Sequence, residues 1–285
     1  MRTATAVTLI LLAALAAAGQ GQRDEVTVGM MNTLFEEQDE KKVFVQMEPF
    51  RDLVRRRTGV EGKFTVVRGA EAMGRQLKAG QLQLGVMHGW EYGWVRKYCP
   101  DCRPLLIAVS DTATLHAYIL VPRTSAAKEI ADLKGQTLAL PRRAPHHTRF
   151  YLERLIGGDP AKVFKVMETA TTDGAIEAVI EGQAQLTVVS GAALKVYRDE
   201  KPGRFNKLRV LGESPAFPAG VLVSRPGQGD PKVTERFRDA LLTAHETAEG
   251  RQTLTLWRLT GFRAVPKDYE QQVDAIIKLY PPPSE

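Results

Sequence analysis

Long apolar runs, blocks of like charge and internal repeats are all missing from most of this chain. After the N-terminal stretch, no segment approaches the roughly 18 apolar residues that a membrane-spanning helix requires, so we do not expect a membrane-embedded protein. The 39 lysines and arginines and the 33 aspartates and glutamates are spread along 285 residues. A charged tail that binds nucleic acid is therefore not expected, and nucleic acid is not a predicted partner.

Motifs that mark the common enzyme classes are also missing. The sequence has no G-x-S-x-G nucleophile turn, no H-E-x-x-H metal motif and no glycine-rich phosphate loop. No pattern marks a nucleophile together with the base that would activate it. We therefore predict a protein that is not an enzyme and that needs no cofactor.

Cysteine is scarce, with only Cys99 and Cys102, in "KYCPDCRPL". In an oxidising compartment a local disulfide is the expected state of such a pair. A thiol oxidoreductase would place C-x-x-C at the start of a helix after a strand, whereas this pair follows a helical stretch and precedes a strand. Half of a zinc site is a weaker interpretation, because no matching second pair of ligands exists. We predict a disulfide.

The N-terminus has the layout of a secretory signal peptide. Residues 1–18 combine an early Arg2 with an apolar, alanine-rich run that ends in small residues. No cysteine stands at the predicted cleavage after Ala18, so a lipid anchor is not expected. The mature protein is therefore predicted to be secreted to the periplasm or extracytoplasmic space. Its formal net charge of +6 indicates either a soluble basic surface or attraction of anionic ligands.

From residue 25 onwards, short β-rich runs alternate with helical stretches. "EVTVGM", "KFTVVR" and "LQLGVMHG" have the apolar pattern of strands, and the helical stretches between them end at Gly59 and Gly80. The order starts again after "HAYILVPR", with "QTLALP", "VFKVMET" and "AQLTVVSG" as strands. This alternation predicts an α/β fold with parallel sheets, in which ligands bind at the carboxyl ends of the strands.

The order of these segments resembles a known family. "VTVGMMNT", "KAGQLQLGVMHGWEY", "EIADLKGQTLALP" and "LRVLGESPAFPAGVLVSR" follow one another as in the phosphate, phosphite and phosphonate-binding proteins of ABC importers. The resemblance implies a two-lobed type II periplasmic-binding fold, each lobe a mainly parallel sheet flanked by helices, joined by two crossover strands. We expect lobe 1 to comprise residues 24–118 and 216–285, and lobe 2 to comprise residues 119–215.

The resemblance also implies a function. An extracytoplasmic solute-binding protein of this group captures a small phosphate-like or phosphonate-like oxyanion in the cleft between its lobes and passes it to an ABC permease in the membrane. A ligand-sensing partner of a signalling receptor uses the same fold and cleft, and the sequence does not separate the two roles.

The loop before the second-lobe helix is the centre of the predicted site. In the family a Ser-Thr-Ser-Gly run holds the oxyanion there, whereas this chain has Ala144, Pro145, His146, His147 and Thr148. Pro145 removes one backbone N–H donor from the loop. A strand followed by a polar loop and a helix start still surrounds an anion with N–H groups, and neighbouring arginines can bind carboxylate or phosphate through two hydrogen bonds.

Other candidates lie at strand ends and helix starts. Tyr92 matches a tyrosine of the family, and Asp173 loosely matches a polar residue before another helix of the second lobe. Asn32, Thr33 and Ser190 are candidates because they end strands of the predicted sheets. The predicted ligand-binding residues are Asn32, Thr33, Tyr92, Arg143, His146, His147, Thr148, Asp173 and Ser190.

The histidines support an alternative hypothesis. His88, His116, His146 and His147 fall at strand ends or strand-to-helix turns that could face one cleft. The hypothesis adds the methionines Met30, Met31 and Met87. Imidazole with thioether sulfur suits copper or a similar transition metal. The alternative prediction is therefore a transition-metal-binding protein on the same fold, with these four histidines as the ligands.

The segment "GWEYGW" places aromatic residues at alternate positions. Trp90, Tyr92 and Trp94 either line the cleft and stack against an organic ligand or pack beneath the loop. Glu91 between them is a candidate partner for a ligand amine or for one of the arginines.

Overall fold

The computed structural model describes residues 25–35, 40–110, 114–142, 144–257 and 259–282. The predicted signal peptide, residues 1–18, and Arg143 of the predicted site lie outside the described residues. Within these ranges the strands form three sheets, of six, five and two strands. No helix in the described part of the chain has the length and apolar character needed to cross a membrane.

The elements alternate along the chain as the sequence predicts. In order, the strands are β1 (Glu25–Met31), β2 (Glu61–Val67), β3 (Leu84–Met87), β4 (Arg103–Val109), β5 (Thr114–Leu115), β6 (Ala117–Pro122), β7 (Thr137–Pro141), β8 (Lys165–Thr169), β9 (Leu186–Ser190), β10 (Leu208–Glu213), β11 (Phe217–Pro218), β12 (Gly220–Ser224) and β13 (Gly261–Arg263). The α-helices are α1 (Glu40–Thr58), α2 (Ala70–Ala79), α3 (Gly89–Val95), α4 (His146–Ile156), α5 (Thr172–Ile180), α6 (Gly191–Glu200), α7 (Pro202–Phe205), α8 (Pro231–Leu242), α9 (Ala248–Leu256) and α10 (Tyr269–Leu279). Short 3-10 helices cover Asn32–Phe35, Ile130–Leu133, Pro160–Lys162 and Ala244–Glu246.

The six-stranded sheet joins early and late parts of the chain in the order β13-β4-β12-β3-β1-β2. Its side chains enter two hydrophobic clusters on opposite faces, because successive residues of a strand point to opposite sides. Val26, Val28 and Met30 of β1 join the cluster that contains α1 and α8, whereas Met31 joins the cluster that contains α2, α3 and α10. The sheet is therefore covered by helices on both faces.

The five-stranded sheet is formed by the middle of the chain, in the order β10-β6-β9-β7-β8. Leu138 of β7 packs with Leu152 of α4 on one face, and Ala139 packs with Ile176 of α5 on the other. This sheet is thus also enclosed between helices, with α4 placed at the end of β7.

The chain crosses between the two large sheets twice. The two crossings meet as an antiparallel pair in which Leu115 of β5 lies opposite Phe217 of β11. Strands that begin at a crossing run against their neighbours: β6 is antiparallel to β9 and β10, and β12 is antiparallel to β3 and β4. The strands that are linked only by helices, β1 with β2 and β3, and β7 with β8 and β9, are parallel. The predicted α/β fold with two crossovers is confirmed.

Cys99 and Cys102 are joined by a disulfide with a Cα–Cα distance of 5.5 Å. The bridge is buried between the end of α3 and the start of β4. It closes the turn that leads from the segment carrying the aromatic residues back into the six-stranded sheet.

Candidate functional site

Four histidines from both large sheets lie in one region. His88 precedes α3 at the end of β3, and His146 begins α4 at the end of β7. Their imidazole rings stack with a centroid distance of 5.2 Å and an angle of 7° between the planes. His147 Nε2 lies 3.3 Å from the carbonyl oxygen of His116, which stands between β5 and β6. Residues that are far apart in the sequence therefore meet where the two sheets face each other.

Trp90 extends this contact. Its indole lies parallel to the ring of His88, at 4.4 Å and 6°, and nearly parallel to that of His146, at 5.7 Å and 10°. Phe217 of β11 packs edge-on against it at 5.3 Å. Trp90 is fully buried, and although α3 belongs to the first sheet, the indole sits in the hydrophobic cluster of the second sheet. The ring thus bridges the two halves of the molecule.

Glu91 is a buried carboxylate beside the histidines, with 1% of its surface exposed. The hydroxyl of Thr33 donates to Glu91 Oε1 at 2.6 Å, and the backbone N–H of His88 donates to Oε2 at 3.0 Å. Burial raises the pKa of Glu91, while these two hydrogen bonds oppose the shift by stabilising the charged form. Glu91 therefore fixes the start of α3 and holds Thr33 next to it.

Three of these histidines, His88, His146 and His147, are neutral at pH 7. Burial lowers the pKa of His88, His146 and His147 to about 4 in each case. Smaller contributions come from neighbouring charge: protonated His88 disfavours a proton on His146, whereas Glu91 favours it. The region therefore offers neutral imidazoles and one indole rather than a fixed positive charge.

The start of α4 is closed by its own residues. The hydroxyl of Thr148 donates to the carbonyl oxygen of Pro145 at 2.7 Å, and the Thr148 N–H donates to the same oxygen at 2.9 Å. Thr148 is fully buried. Its hydroxyl is therefore used within the first turn of the helix, and His146 is the residue of this turn whose ring faces the other sheet.

The remaining predicted residues make contacts of their own within the protein. Tyr92 is buried in the first sheet's core, which raises its pKa, and its hydroxyl donates to the partly exposed Glu270 at 2.8 Å. Asp173 forms an ion pair with Lys201 at 3.0 Å. Ser190 caps α6 by accepting the N–H of Ala193 at 3.3 Å, and Asn32 begins the 3-10 helix after β1. The ligand roles of these four residues remain predictions.

The transition-metal alternative is not supported by this arrangement. Among the described residues no group of three or more His, Cys, Asp and Glu side chains is placed to hold a metal ion. The nitrogen lone pairs of an imidazole lie in the plane of its ring, so the parallel rings of His88 and His146 do not direct them at one point. His88 Nε2 instead lies 3.5 Å from the carbonyl oxygen of Thr33.

Three aromatic residues of this region were not predicted from the sequence: Phe150, Phe217 and Tyr280. Phe150 follows His146 by one helical turn, which is the spacing that places two side chains on one face. That spacing could have identified Phe150 from the sequence as a neighbour of His146. Phe217 and Tyr280 carry no such signal, because only the tertiary structure brings them within 5.0 Å of each other.

The two large sheets, each enclosed by helices and joined by a double crossover, give a two-lobed architecture whose halves meet at a polar and aromatic contact. The family described as "ABC transporter, phosphonate, periplasmic substrate-binding protein" matches residues 33–269, and the chain belongs to this family. It is therefore the solute-binding component of an ABC importer, in a family of extracytoplasmic binding proteins with the type II periplasmic-binding fold. Among proteins with curated functions, none matches the sequence.

Solved structures share this fold at low sequence identity. XAC2383 from Xanthomonas citri, bound to chloride ion, is 18% identical with a TM-score of 0.60, covering 90% of this chain and 96% of that chain. The same protein bound to ATP is 20% identical over the same shares of the two chains, with a TM-score of 0.58. PhnD1 from Prochlorococcus marinus, in complex with methylphosphonate, is 16% identical with a TM-score of 0.56, covering 90% and 98%.

Proposed function

We propose that this chain captures a small oxyanion between two lobes, residues 24–118 with 216–285 and residues 119–215, and delivers it to an ABC permease after secretion directed by residues 1–18. The observation that carries the proposal is the contact between His88 and His146, one from each large sheet, in a buried region. Residues that touch across two lobes are placed to close on a ligand from both sides.

The class of ligand is supported by what relatives bind. The description of the family names phosphonate as the substrate, and PhnD1 was solved with methylphosphonate. XAC2383 was solved with chloride and with ATP. All of these ligands are anions. In this chain the loop that carries serine and threonine in the family carries His146 and His147. A neutral imidazole donates one N–H, so it can take over the role of a hydroxyl donor.

Anion binding by these histidines is coupled to protons. A bound oxyanion favours the protonated imidazole, which donates from both nitrogens and forms a stronger, charge-assisted hydrogen bond. Because the pKa of His146 is lowered to about 4 without a ligand, the anion has to raise it for a proton to be taken up. We therefore expect a tighter complex at pH 6 than at pH 8.

The test is isothermal titration calorimetry of the purified protein with methylphosphonate, phosphate and phosphite at both pH values. At least one of the three should bind, and His146→Gln should weaken it about tenfold, the loss expected for one hydrogen bond to a charged group. His245→Gln is the matched control, because His245 is exposed and lies outside the cluster. If none of the three anions binds at either pH, with calorimetry repeated at a second temperature, the oxyanion function is contradicted; equal affinity in His146→Gln removes His146 from the site.

A further inference from the structure

Four nearly parallel rings from the two halves of the molecule lie together between the sheets. His88 and Trp90 belong to the β3–α3 connection, while His146 and Phe150 belong to α4. Phe150 inclines by 25° to Trp90 and by 20° to His146, at centroid distances of 5.8 and 6.0 Å. The angles among His88, Trp90 and His146 are smaller, between 6° and 10°. Each half of the molecule thus contributes one pair of nearly parallel rings.

Two nitrogen atoms in this set have no protein partner in the described structure. Trp90 Nε1 and His146 Nδ1 are both buried without a hydrogen bond. Trp90 is 0% exposed, so water does not satisfy its N–H in this conformation. An indole nitrogen is a donor only, so the group that completes it has to be an acceptor, such as an oxyanion oxygen. A buried donor left unpaired costs free energy, and each such group in a folded protein needs a physical explanation. A ligand acceptor that reaches the N–H when the halves part is one such explanation.

The covalent connection allows these ring pairs to separate. The two halves are linked by the chain crossings at β5 and β11, which pair over only two residues each. A narrow two-stranded link of this kind can bend without breaking either large sheet. When the halves part, the pair His88 and Trp90 moves away from the pair His146 and Phe150, and aromatic rings from both halves line the gap.

We propose that the ligand of this protein carries a planar aromatic group attached to its oxyanion, and that this group inserts between the two ring pairs. Trp90 is then a ligand-contacting residue that serves twice, with its face stacked on the ligand ring and its N–H donated to an oxyanion oxygen. The inference rests on the proposed function and deepens it by naming the substrate class: aromatic oxyanions rather than simple alkyl or inorganic ones.

The experiment compares four probes by calorimetry: phenylphosphonate, methylphosphonate, phosphate and the uncharged benzamide. Phenylphosphonate is expected to bind about tenfold or more tightly than methylphosphonate, which is the gain of one to two favourable ring contacts. Equal affinities overturn the aromatic class while the oxyanion function stands. Binding of benzamide without binding of either phosphonate overturns the oxyanion function and leaves an aromatic site. Binding of none of the probes overturns both.

Two variants separate the two roles of Trp90. Trp90→Phe keeps a flat ring and removes the N–H, so both phosphonates should weaken by a similar factor while the preference for phenylphosphonate persists. Trp90→Leu removes the ring, so the preference should fall towards unity. Trp257→Phe is the matched control, because Trp257 packs on Phe50 in the first sheet's core. Circular dichroism confirms folding of each variant, and an unchanged preference in folded Trp90→Leu refutes the role of Trp90.

Discussion

Histidine at the start of α4 gives this protein a chemistry that serine or threonine would not give. A hydroxyl is neutral at every physiological pH, whereas an imidazole gains a proton near pH 6.5 unless its surroundings prevent it. Burial prevents it here, because it lowers the pKa of His88, His146 and His147 to about 4. The protein therefore holds three uncharged groups that acid will charge.

The consequence is a stability that falls with acid in a defined window. As pH drops below 6.5 the unfolded chain takes up protons on these histidines before the folded protein does, so the free energy of unfolding decreases until pH reaches about 4. For one histidine with its pKa lowered from 6.5 to about 4, the loss at pH 5 is about 2 kcal/mol. Urea unfolding at pH 7 and pH 5 measures this difference.

His146→Gln isolates the contribution of one residue to that difference. Burial lowers the pKa of the His146 ring, and the charges of His88, Glu91 and Arg149 also affect it. The loss of stability between pH 7 and pH 5 should be smaller in His146→Gln by about 1–2 kcal/mol, and unchanged in His245→Gln. If wild type and His146→Gln lose the same free energy, His146 does not resist protonation in the folded protein.

At the scale of elements, the start of α3 is held against β11 at closest packing. A Cβ atom on Gly89 would lie 2.6 Å from Pro218 Cβ and 2.7 Å from the backbone oxygens of both Pro218 and Ala219. Backbone atoms cannot rotate away as a flexible side chain can. Only glycine therefore allows His88 and Trp90, on either side of it, to approach the crossover strand.

Gly89→Ala should accordingly separate α3 from β11. We expect a decrease of about 1–3 kcal/mol in the free energy of unfolding, the usual cost of overpacking, and weaker methylphosphonate binding because His88 and Trp90 are displaced. Gly203→Ala in α7 is the control: no heavy atom lies within 4 Å of its Cβ position, so it should be neutral or stabilise by up to about 1 kcal/mol. Equal melting temperatures for the two variants would contradict this account.

Most elements could be predicted from the sequence, and the reason is local. The helix ends at Gly59 and Gly80 both have positive φ, 71° and 77°, a backbone conformation that glycine adopts without strain. The apolar runs of β1, β3 and β9 follow from burial on both faces. The antiparallel strands β6 and β12 were not distinguished from parallel ones, because strand direction depends on where the chain crosses between sheets and not on side-chain pattern.

At the scale of the whole molecule, the segment after α10 joins the two halves. The Trp94 indole N–H of α3 donates to the carbonyl oxygen of Tyr280 at 3.1 Å, and Arg154 of α4 donates to that of Pro281 at 3.2 Å. The ring of Tyr280 lies 5.1 Å from Phe150 and 5.0 Å from Phe217. The same short stretch therefore contacts both large units and the crossover.

Tyr280→Ala should weaken the closed arrangement. Removal of this buried ring is expected to lower the free energy of unfolding by about 3 kcal/mol, and small-angle X-ray scattering should show a larger radius of gyration for the unliganded variant than for wild type. Leu279→Ala, whose side chain is 60% exposed, should change neither quantity. A radius of gyration identical to that of wild type would show that Tyr280 does not hold the halves together.

The sequence by itself determined the α/β class, the succession of elements and the family, because these depend on local spacing, helix ends and segment order. It also placed polar groups at strand ends, since that follows from the α/β rule. Only the tertiary structure decided that Tyr92 points into a core and that Asp173 pairs with Lys201. The tertiary structure also brought His88 against His146. The two residues follow strands of different sheets, and they meet only because the chain crosses from one sheet to the other, which no local sequence pattern predicts.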